Sequence, residues 1–340
     1  MELYKFPIYV WWQITNKCNL KCPHCFADES REELNTKEIK RIIDQLSEAK
    51  TTMIRITGGE PFLREDIFDI FEYIKSKNIA LTISTNGTLI NKTMAQRIYQ
   101  LKVEGIQISL DGHNKYIHEK IRGKDTFTKT IRGIRNLKNK NIIPNIMTTL
   151  FSYNIDYISE IADFVNSLGI KKFFTRRLVK VGRAKKNWDQ LSPSSEQIIK
   201  AYLTLKEKQK LYPRMIIKPE CSYMFGIDPQ LLDKNFSPIC ECGKTQCGIK
   251  SNGIVTPCQY VTLSAGDLRK ESFIEIWRNS EIFKKFRELD ISKLKGKCSD
   301  CEFKKICEGG CRAIALERSG DFYASDPLCW WKEDSSYMIS

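Results

Sequence analysis

The sequence predicts an α/β protein in which a parallel sheet of about six strand–helix units is followed by a small cysteine-rich domain. Three observations predict this architecture. Strand and helix patterns alternate over roughly residues 8 to 180, the alternation ends by about Pro219, and a cysteine-rich segment follows it. Alternating strands and helices form a parallel sheet with the helices outside. We therefore expect two domains, residues 1–220 and 221–340.

The elements of the first domain follow from the spacing of apolar residues. The predicted strands cover residues 8–15, 53–57, 79–85, 105–110, 143–150 and 170–179. The predicted helices cover residues 36–50, 64–77, 91–102, 127–140 and 155–169, and Thr36 is the expected N-cap of the first helix. Six units are fewer than the eight of a closed barrel, so we expect an open partial barrel, (β/α)6. Its site should lie at the carboxyl ends of the strands.

Composition narrows the class of protein. Apolar residues make up 41% of the 340-residue chain, which is enough for a sizeable core. No apolar run is long enough to span a bilayer, and the apolar segment at residues 6–12 is too short for a signal peptide. The 13 cysteines of a large chain without an export signal more often bind metal than form disulfides. We expect a cytoplasmic protein with no membrane partner.

The formal net charge of +14 has two explanations that the sequence leaves open. A basic protein favours an acidic partner, such as an acidic peptide or RNA. A composition rich in Lys, Ile and Asn also follows from an AT-rich genome, and no polybasic tract decides between the two. No appended RNA-binding module is evident, and we expect no DNA partner.

The loop after the first strand, ITNKCNLKCPHCF, carries Cys18, Cys22 and Cys25. Structural zinc sites and cubane iron–sulfur clusters normally take four protein ligands. Three cysteines therefore suggest an iron–sulfur cluster with one open iron, which can bind substrate or cofactor. Two alternatives remain: His24 as a fourth ligand in a zinc site, and three buried structural cysteines.

Three further motifs follow the next three predicted strands: TGGEPF at residues 57–62, STNG at 84–87 and SLDG at 109–112. Gly58 and Gly59 would let the backbone approach a ligand closely. Glu60 is an acceptor suited to an ammonium group, and Asn86 and Asp111 suit polar ligand atoms. Each motif alone is also typical of a turn. Four such motifs at one edge of a sheet indicate a binding site.

Together, these residues resemble the radical SAM enzymes. CNLKCPHC followed by Phe26 is similar to the cluster-binding signature of that family, and GGEP resembles its loop for the amino group of S-adenosylmethionine. The resemblance implies that the three cysteines hold a 4Fe–4S cluster whose fourth iron chelates S-adenosylmethionine. Cleavage of this cofactor would yield a 5′-deoxyadenosyl radical that abstracts hydrogen from a substrate. The implied cofactor-binding residues are Phe26, Gly58, Gly59, Glu60, Pro61, Ser84, Asn86, Ser109, Asp111, Arg122 and Arg176.

The second cysteine set resembles the SPASM extension of the same enzymes, which typically carries two auxiliary 4Fe–4S clusters. The likeness lies in a C-x2-C-x5-C-x3-C run, a lone cysteine after it, and a glycine-centred pair before it. It implies one cluster on Cys298, Cys301, Cys307 and Cys329, and another on Cys242, Cys247, Cys258 and Cys311. Cys240 competes with Cys242 for the same place. A zinc-knuckle domain is the alternative.

Cys221 is the remaining cysteine with a candidate role. A free thiol near a radical site could return a hydrogen atom to substrate and so act catalytically in an epimerisation. The alternative is a buried cysteine that packs as a small hydrophobe. No general acid or base is evident, although Arg177 and Tyr223 could also reach the cavity.

The resemblance implies a ribosomally made precursor peptide or protein as substrate, modified by crosslinking, epimerisation or oxidative decarboxylation. The layout is similar to mycofactocin and haem-pathway maturases, so decarboxylation of a tetrapyrrole side chain is the alternative. A multi-cluster electron carrier would not need the GGEP and STNG motifs. The cluster loop begins at Cys18, which leaves no room before it for a leader-binding domain. We therefore expect a separate leader-binding protein or a different substrate, and a flavodoxin- or ferredoxin-type electron donor.

Overall fold

The computed structural model describes residues 6–27, 32–220, 240–329 and 331. Within these ranges the strands are β1 Tyr9–Gln13, β2 Met53–Thr57, β3 Ala80–Thr85, β4 Gly105–Ser109, β5 Asn145–Leu150, β6 Lys172–Arg177, β7 Ile216–Glu220, β8 Gln246–Ile249, β9 Ile254–Thr256 and β10 Gly266–Asp267. The longer helices are α1 Thr36–Glu48, α2 Ile67–Ser76, α3 Lys92–Leu101, α4 Lys115–Arg122, α5 Thr126–Lys138, α6 Ile158–Ser167 and α9 Ser195–Leu211. The shorter helices are α7 Arg183–Lys186, α8 Trp188–Leu191, α10 Phe273–Asn279, α11 Glu281–Arg287, α12 Lys304–Cys307 and α13 Arg312–Ser319.

The ten strands of the described residues belong to one sheet in the order β10-β9-β8-β1-β2-β3-β4-β5-β6-β7. The strands from β8 across to β7 pair in parallel, whereas β8, β9 and β10 pair antiparallel. The predicted α/β fold with a parallel sheet is confirmed. The six predicted strands all form, and β7 adds a seventh beside β6.

Helix α1 begins at a side-chain cap. Asn35 accepts a hydrogen bond from the backbone N–H of Glu38, and the Glu38 side chain accepts one from the backbone N–H of Asn35. This reciprocal pair is a capping box, and it makes Asn35 the N-cap in place of the predicted Thr36. Helix α4 was not predicted because its apolar positions are few; Asn114 caps it.

Alternation along the strands separates a core face from a cavity face. Val10, Trp12 and Ile56 are fully buried in the main hydrophobic core, together with the apolar faces of α1 and α2. The intervening strand residues point the other way and line a central cavity, among them Trp11, Ser84, Gln107, Ser109, Met147, Thr149 and Arg176. The polar face of the sheet therefore forms the wall of the site.

No helix in the described part of the chain is long and apolar enough to cross a membrane.

Candidate active site

The central cavity lies at the carboxyl ends of the parallel strands, where the sequence places the motifs. It encloses about 970 Å³, measured out to its open mouth. The structure brings most of the site residues predicted in the first domain to its lining: Cys18, Cys22, Cys25, Phe26, Gly58, Gly59, Ser84, Asn86, Ser109, Arg122 and Arg176. Glu60, Pro61 and Asp111 are buried behind the lining.

The three cysteines of the first loop lie close enough to interact electrostatically. Burial raises the pKa of Cys22 to about 11, the Arg122 guanidinium lowers it, and the Cys25 and Cys18 thiols add to the increase. A neutral thiol must lose its proton to bind metal, so metal binding here would release protons. The cation of Arg122 favours the resulting thiolate.

The TGGEPF loop packs directly on the backbone of the cysteine loop. The backbone N–H of Gly59 donates to the Thr15 carbonyl at 2.7 Å, and that of Glu60 donates to the Lys17 carbonyl at 2.7 Å. A Cβ atom added at Gly59 would lie 2.2 Å from the Lys17 carbonyl oxygen. The sequence predicts that this glycine lets the backbone approach a ligand, and the structure shows that it also lets the cysteine loop approach.

A second segment holds the cysteine loop from the other side. The backbone N–H of Arg183 donates to the Cys25 carbonyl at 2.8 Å, and its Nε donates to the Cys22 carbonyl at 2.9 Å. Asn187 Nδ2 donates to the Pro23 carbonyl at 3.1 Å. Three successive contacts thus fix the loop between Cys22 and Cys25. The roles of Arg183 and Asn187 are not evident from the sequence, because nothing local to residues 181–187 indicates this long-range contact.

Glu60 organises the turn after β3. Its carboxylate accepts hydrogen bonds from the Thr85 hydroxyl at 2.7 Å and from the Asn86 backbone N–H at 2.9 Å. Burial raises the pKa of Glu60 to about 7, although these hydrogen bonds oppose the increase. The expected role as an acceptor for an ammonium group differs from this arrangement, since the carboxylate faces Thr85 and Asn86 and does not line the cavity.

Asp111 likewise binds another protein residue, Arg122. It is fully buried, and its carboxylate accepts from Arg122 Nε at 2.6 Å and from the Thr149 backbone N–H at 2.9 Å. The expected contact of Asp111 with a polar ligand atom is therefore replaced by a contact with Arg122. Asp111 orients the guanidinium of Arg122, which lines the cavity beside Cys22 and Cys25.

Asn86 and Ser84, two polar residues of the STNG turn that line the cavity, differ in their hydrogen bonding. Asn86 Nδ2 donates to Asn19 Oδ1 at 2.9 Å, and Asn86 Oδ1 accepts from the Thr88 backbone N–H at 2.9 Å. Ser84 Oγ is buried in the lining and has no hydrogen-bond partner among the described residues. A buried hydroxyl without a partner is costly, which indicates that a polar ligand atom completes it.

The residues around the cavity fit a cluster and a polar cofactor better than a single zinc ion. Across the described ranges, no three His, Cys, Asp or Glu side chains converge so as to hold one metal ion. His24, the alternative zinc ligand, packs against Phe151 with the rings tilted and their centroids 4.6 Å apart, and burial lowers its pKa well below the usual value. An iron–sulfur cluster is larger than one ion and needs more widely separated thiolates.

Arg176 and Arg177 end β6 and take different roles. Arg176 lines the cavity, with its guanidinium 5.3 Å from the ring centroid of Trp11 and 5.2 Å from that of Tyr260. Arg177 forms two hydrogen bonds of 3.1 Å to the carboxylate of Asp326, and both side chains are buried. Arg177 thus joins the end of β6 to the cysteine-rich segment.

The last cysteine group lines a pocket of its own. Cys298, Cys301, Cys307 and Cys329 surround it together with the apolar rings of Phe303 and Trp331. Burial raises the pKa of Cys307 to about 12, and the Cys329 and Cys298 thiols add to the increase. The four cysteines predicted to share one cluster are therefore brought together.

The other predicted group differs from its prediction at one position. The Cys242 thiol lies within hydrogen-bond reach of the Cys240 and Cys258 thiols, and Cys311 interacts electrostatically with Cys240 and Cys258. Cys247 lies elsewhere: it is fully buried in the main hydrophobic core, near Arg287. The structure thus assembles Cys240, Cys242, Cys258 and Cys311, and it separates Cys247 from them. Cys221, predicted as a catalytic hydrogen donor, and Tyr223 lie outside the described residues.

Comparison with known proteins agrees with this geometry. Residues 12–165 match the radical SAM superfamily, and residues 240–302 match the SPASM iron–sulfur cluster-binding domain. The AdoMet-dependent heme synthase of Methanosarcina barkeri is 30% identical over 96% of this chain and 97% of its own length. The chain belongs to the radical SAM superfamily. It is an enzyme of the radical SAM/SPASM type, as the sequence motifs predict, and this class carries a 4Fe–4S cluster, S-adenosylmethionine and SPASM-bound iron–sulfur clusters.

Two further relatives show the breadth of this radical SAM group. The mycofactocin maturase MftC of Mycolicibacterium smegmatis is 29% identical and aligns over 95% of this chain and 82% of its own length. The crystal structure of Streptococcus suis SuiB bound to S-adenosylmethionine superimposes with a TM-score of 0.78 at 21% identity, covering 96% of this chain and 77% of SuiB. The superposition on SuiB shows that the two chains share a fold.

Proposed function

We propose that this radical SAM protein reductively cleaves S-adenosylmethionine to a 5′-deoxyadenosyl radical and uses it to modify a ribosomally made peptide or protein. The modification is a crosslink, an epimerisation or an oxidative decarboxylation. The observation that carries the proposal is that one cavity is lined by the three cysteines, by Arg122 and by Ser84, whose buried hydroxyl has no hydrogen-bond partner among the described residues. An electron carrier has no need of such a cavity.

Eleven cysteines would hold three 4Fe–4S clusters. Cys18, Cys22 and Cys25 would bind the cluster that supplies the electron for cleavage of S-adenosylmethionine. The four cysteines of the last pocket would bind one auxiliary cluster: Cys298, Cys301, Cys307 and Cys329. The second auxiliary cluster would take Cys240, Cys242, Cys258 and Cys311, because these thiols lie together.

The chain's own residues would position S-adenosylmethionine. The Ser84 hydroxyl and Ser109 face the cavity as hydrogen-bonding groups, and Arg122, oriented by Asp111, supplies a cation for the methionine carboxylate. Glu60 acts through Thr85 and Asn86 by holding the turn that carries them. Phe26 and Arg176 also line the cavity, and both contact the ring of Tyr260, beside which substrate would bind.

A second candidate is decarboxylation of a tetrapyrrole side chain. The relatives named AdoMet-dependent heme synthase, at 30% to 32% identity over almost the whole chain, favour it. A Methanosarcina barkeri relative named Fe-coproporphyrin III synthase is 30% identical over 98% of this chain. The separate leader-binding protein and the flavodoxin- or ferredoxin-type donor stay predictions, as does hydrogen return by Cys221.

The proposal is tested by anaerobic turnover of the reconstituted enzyme with a chemical reductant. We expect 5′-deoxyadenosine and methionine to form, and Glu60→Gln to slow their formation about 10- to 100-fold, since losing a hydrogen bond to a charged group costs about 1.5–3 kcal/mol. Glu60→Gln should keep its iron, because Glu60 is not a ligand. Glu65→Gln, an exposed neighbour, is the matched control and should turn over normally.

A wild-type enzyme that retains its iron but forms no 5′-deoxyadenosine would contradict the proposal and favour the electron carrier. Mass spectrometry separates the two substrate classes by showing whether a candidate peptide or a candidate porphyrin changes mass. Oxidative decarboxylation of either one removes CO2 and two hydrogen atoms, about 46 mass units in all.

A further inference from the structure

A second cavity of about 750 Å³ adjoins the first and includes no residue of the STNG turn in its described lining. Four parts of the chain form its walls: the end of β1 with Phe26 and Ala27, residues 181–186 after β6, Lys250 after β8, and residues 259–262. Small-molecule sites commonly lie where separate structural units meet. Nothing in the proposed handling of S-adenosylmethionine uses this space.

The second cavity is basic. Its charged lining residues are Arg183, Lys186 and Lys250, and its described lining includes no Asp or Glu. In the first cavity, by contrast, Arg122 and Arg177 are paired with the buried carboxylates of Asp111 and Asp326. A concave surface lined by charges of one sign concentrates the opposite charge within it. The second cavity therefore favours an anion.

The remainder of the second cavity's lining is largely apolar. Phe26, Val181, Tyr260 and Val261 contribute to it, and the rings of Phe26 and Tyr260 meet edge to face with centroids 5.0 Å apart. An apolar wall with cations at its edge suits a ligand that has an apolar body and several anionic groups. A strongly hydrated inorganic anion would not make use of the apolar wall.

The two cavities are contiguous. Phe26, Arg183, Gln259 and Tyr260 line both of them. A ligand that fills the second cavity thus lies beside the aromatic pair and within reach of the first cavity. Arg183 is fixed at this junction, because its backbone N–H and its Nε both donate to the cysteine loop.

We propose that the second cavity binds carboxylate groups of the substrate, so that the substrate's reacting C–H bond extends past Phe26 and Tyr260 into the first cavity. This inference rests on the proposed function and assigns a binding site to its substrate. Lys186 is the clearest contributor, since it is exposed, lines the cavity and forms no ion pair with any Asp or Glu that the structure describes. Carboxylates of a tetrapyrrole and those of an acidic peptide satisfy the same chemistry.

The test is a binding titration of the anaerobically reconstituted enzyme with S-adenosylmethionine bound. One probe is coproporphyrin III, a tetracarboxylate, paired with its neutral tetra-amide. The other is a six-residue peptide with two glutamates and a free C-terminus, paired with its glutamine, C-terminal-amide counterpart. Tighter binding of the acid within a pair identifies the source of the carboxylates.

Lys186→Gln should weaken binding of the acidic probe about three- to five-fold, since a partly exposed ion pair contributes up to about 1 kcal/mol. The difference should shrink as salt is added, because salt screens exposed charges. Lys185→Gln is the matched control: Lys185 is an exposed neighbour in the same helix that does not line the cavity, and its replacement should leave affinity unchanged. Lys186→Gln with Lys250→Gln should weaken binding further.

Equal affinity of wild type and Lys186→Gln for both acids, or equal affinity for each acid and its neutral counterpart, would overturn the inference. Cleavage of S-adenosylmethionine without substrate is measured in the same samples. If cleavage proceeds while Lys186 has no effect on binding, this inference alone fails. If the wild type does not cleave S-adenosylmethionine, the proposed function fails.

Discussion

At the scale of single residues, the position of Cys247 shows how strand register decides which cysteines share a site. In β8, Cys247 is the parallel-sheet partner of Val10 in β1, and paired residues face the same side of a sheet. Val10 faces the main core, so Cys247 does too. The spacing of the cysteines groups Cys247 with the cluster ligands. This spacing contains no information about the pairing of β8 with β1, so it could not reveal that Cys247 faces the core.

This reassignment predicts opposite outcomes for two cysteine variants. Cys240→Ala should lower the iron content from about twelve to about eight per chain, since one 4Fe–4S cluster loses a ligand. Cys247→Ala should keep all the iron, because its side chain packs in the core as a small hydrophobe. Iron and sulfide are counted after anaerobic reconstitution and gel filtration of each variant.

The reassignment is wrong if Cys247→Ala loses a cluster while Cys240→Ala keeps its iron. A stability measurement on Cys247→Ala guards against loss of iron through unfolding. We expect only a modest decrease in its free energy of unfolding, as for other small truncations in a core.

Other residues of the site could be predicted from the sequence, but their partners could not. The motifs after β1 to β4 identified the cavity wall because parallel strands end at one edge. Glu60 and Asp111 were correctly placed at this edge, yet both bind protein groups and not the cavity. Their partners Asn86 and Arg122 lie on other segments, and only the folded chain shows which of them meet.

At the scale of elements, the segment between β6 and α7 secures the cysteine loop. Gly182 has φ of 56°, and an added Cβ atom would lie 2.5 Å from the Cys25 carbonyl oxygen. That carbonyl accepts the hydrogen bond from Arg183. A larger residue at position 182 must therefore move the loop that carries Cys22 and Cys25.

Gly182→Ala should accelerate iron release and lower the free energy of unfolding. Gly320→Ala is the matched control, because Gly320 has φ of 74° but no atom within 4 Å of an added Cβ. Each alanine bears the cost of a positive φ, about 1–3 kcal/mol, and only Gly182→Ala adds the clash. Chelator-induced iron release and denaturant unfolding measure the two effects.

Equal iron release from the two alanine variants would show that Gly182 does not secure the loop. The sequence could not reveal this contact. Strand β6 was predicted from its own apolar pattern, whereas the contact of the following segment with the first loop joins distant parts of the chain.

At the scale of the whole molecule, the SPASM segment continues the barrel sheet. Strand β8 pairs in parallel with β1, which is the strand that leads into the cysteine loop. On the other side, Arg177 at the end of β6 binds Asp326, and Asp326 also accepts from the Cys311 backbone N–H at 3.4 Å. The sequence predicted both domains as separate units and could not show these two connections.

The buried pair of Arg177 and Asp326 should be a large contributor to the stability of this arrangement. Arg177→Met leaves the Asp326 carboxylate buried without its charge partner, which costs about 3–5 kcal/mol. Lys210→Gln, which removes the exposed pair of Lys210 with Glu207, is the control and should cost less than about 1 kcal/mol. Anaerobic denaturant unfolding of the reconstituted enzyme measures both.

If Arg177→Met unfolds at the same denaturant concentration as Lys210→Gln, the pair does not stabilise the contact between barrel and SPASM segment. A double variant, Arg177→Met with Asp326→Leu, should recover part of the lost stability, because it leaves no unpaired charge in the interior.

The most direct test of the whole account is the metal content of the reconstituted chain. Three 4Fe–4S clusters predict about twelve iron and about twelve sulfide per chain, with little zinc. Iron near four per chain, together with one or two zinc ions, would contradict the account, because zinc would then occupy the cysteines here given to the auxiliary clusters.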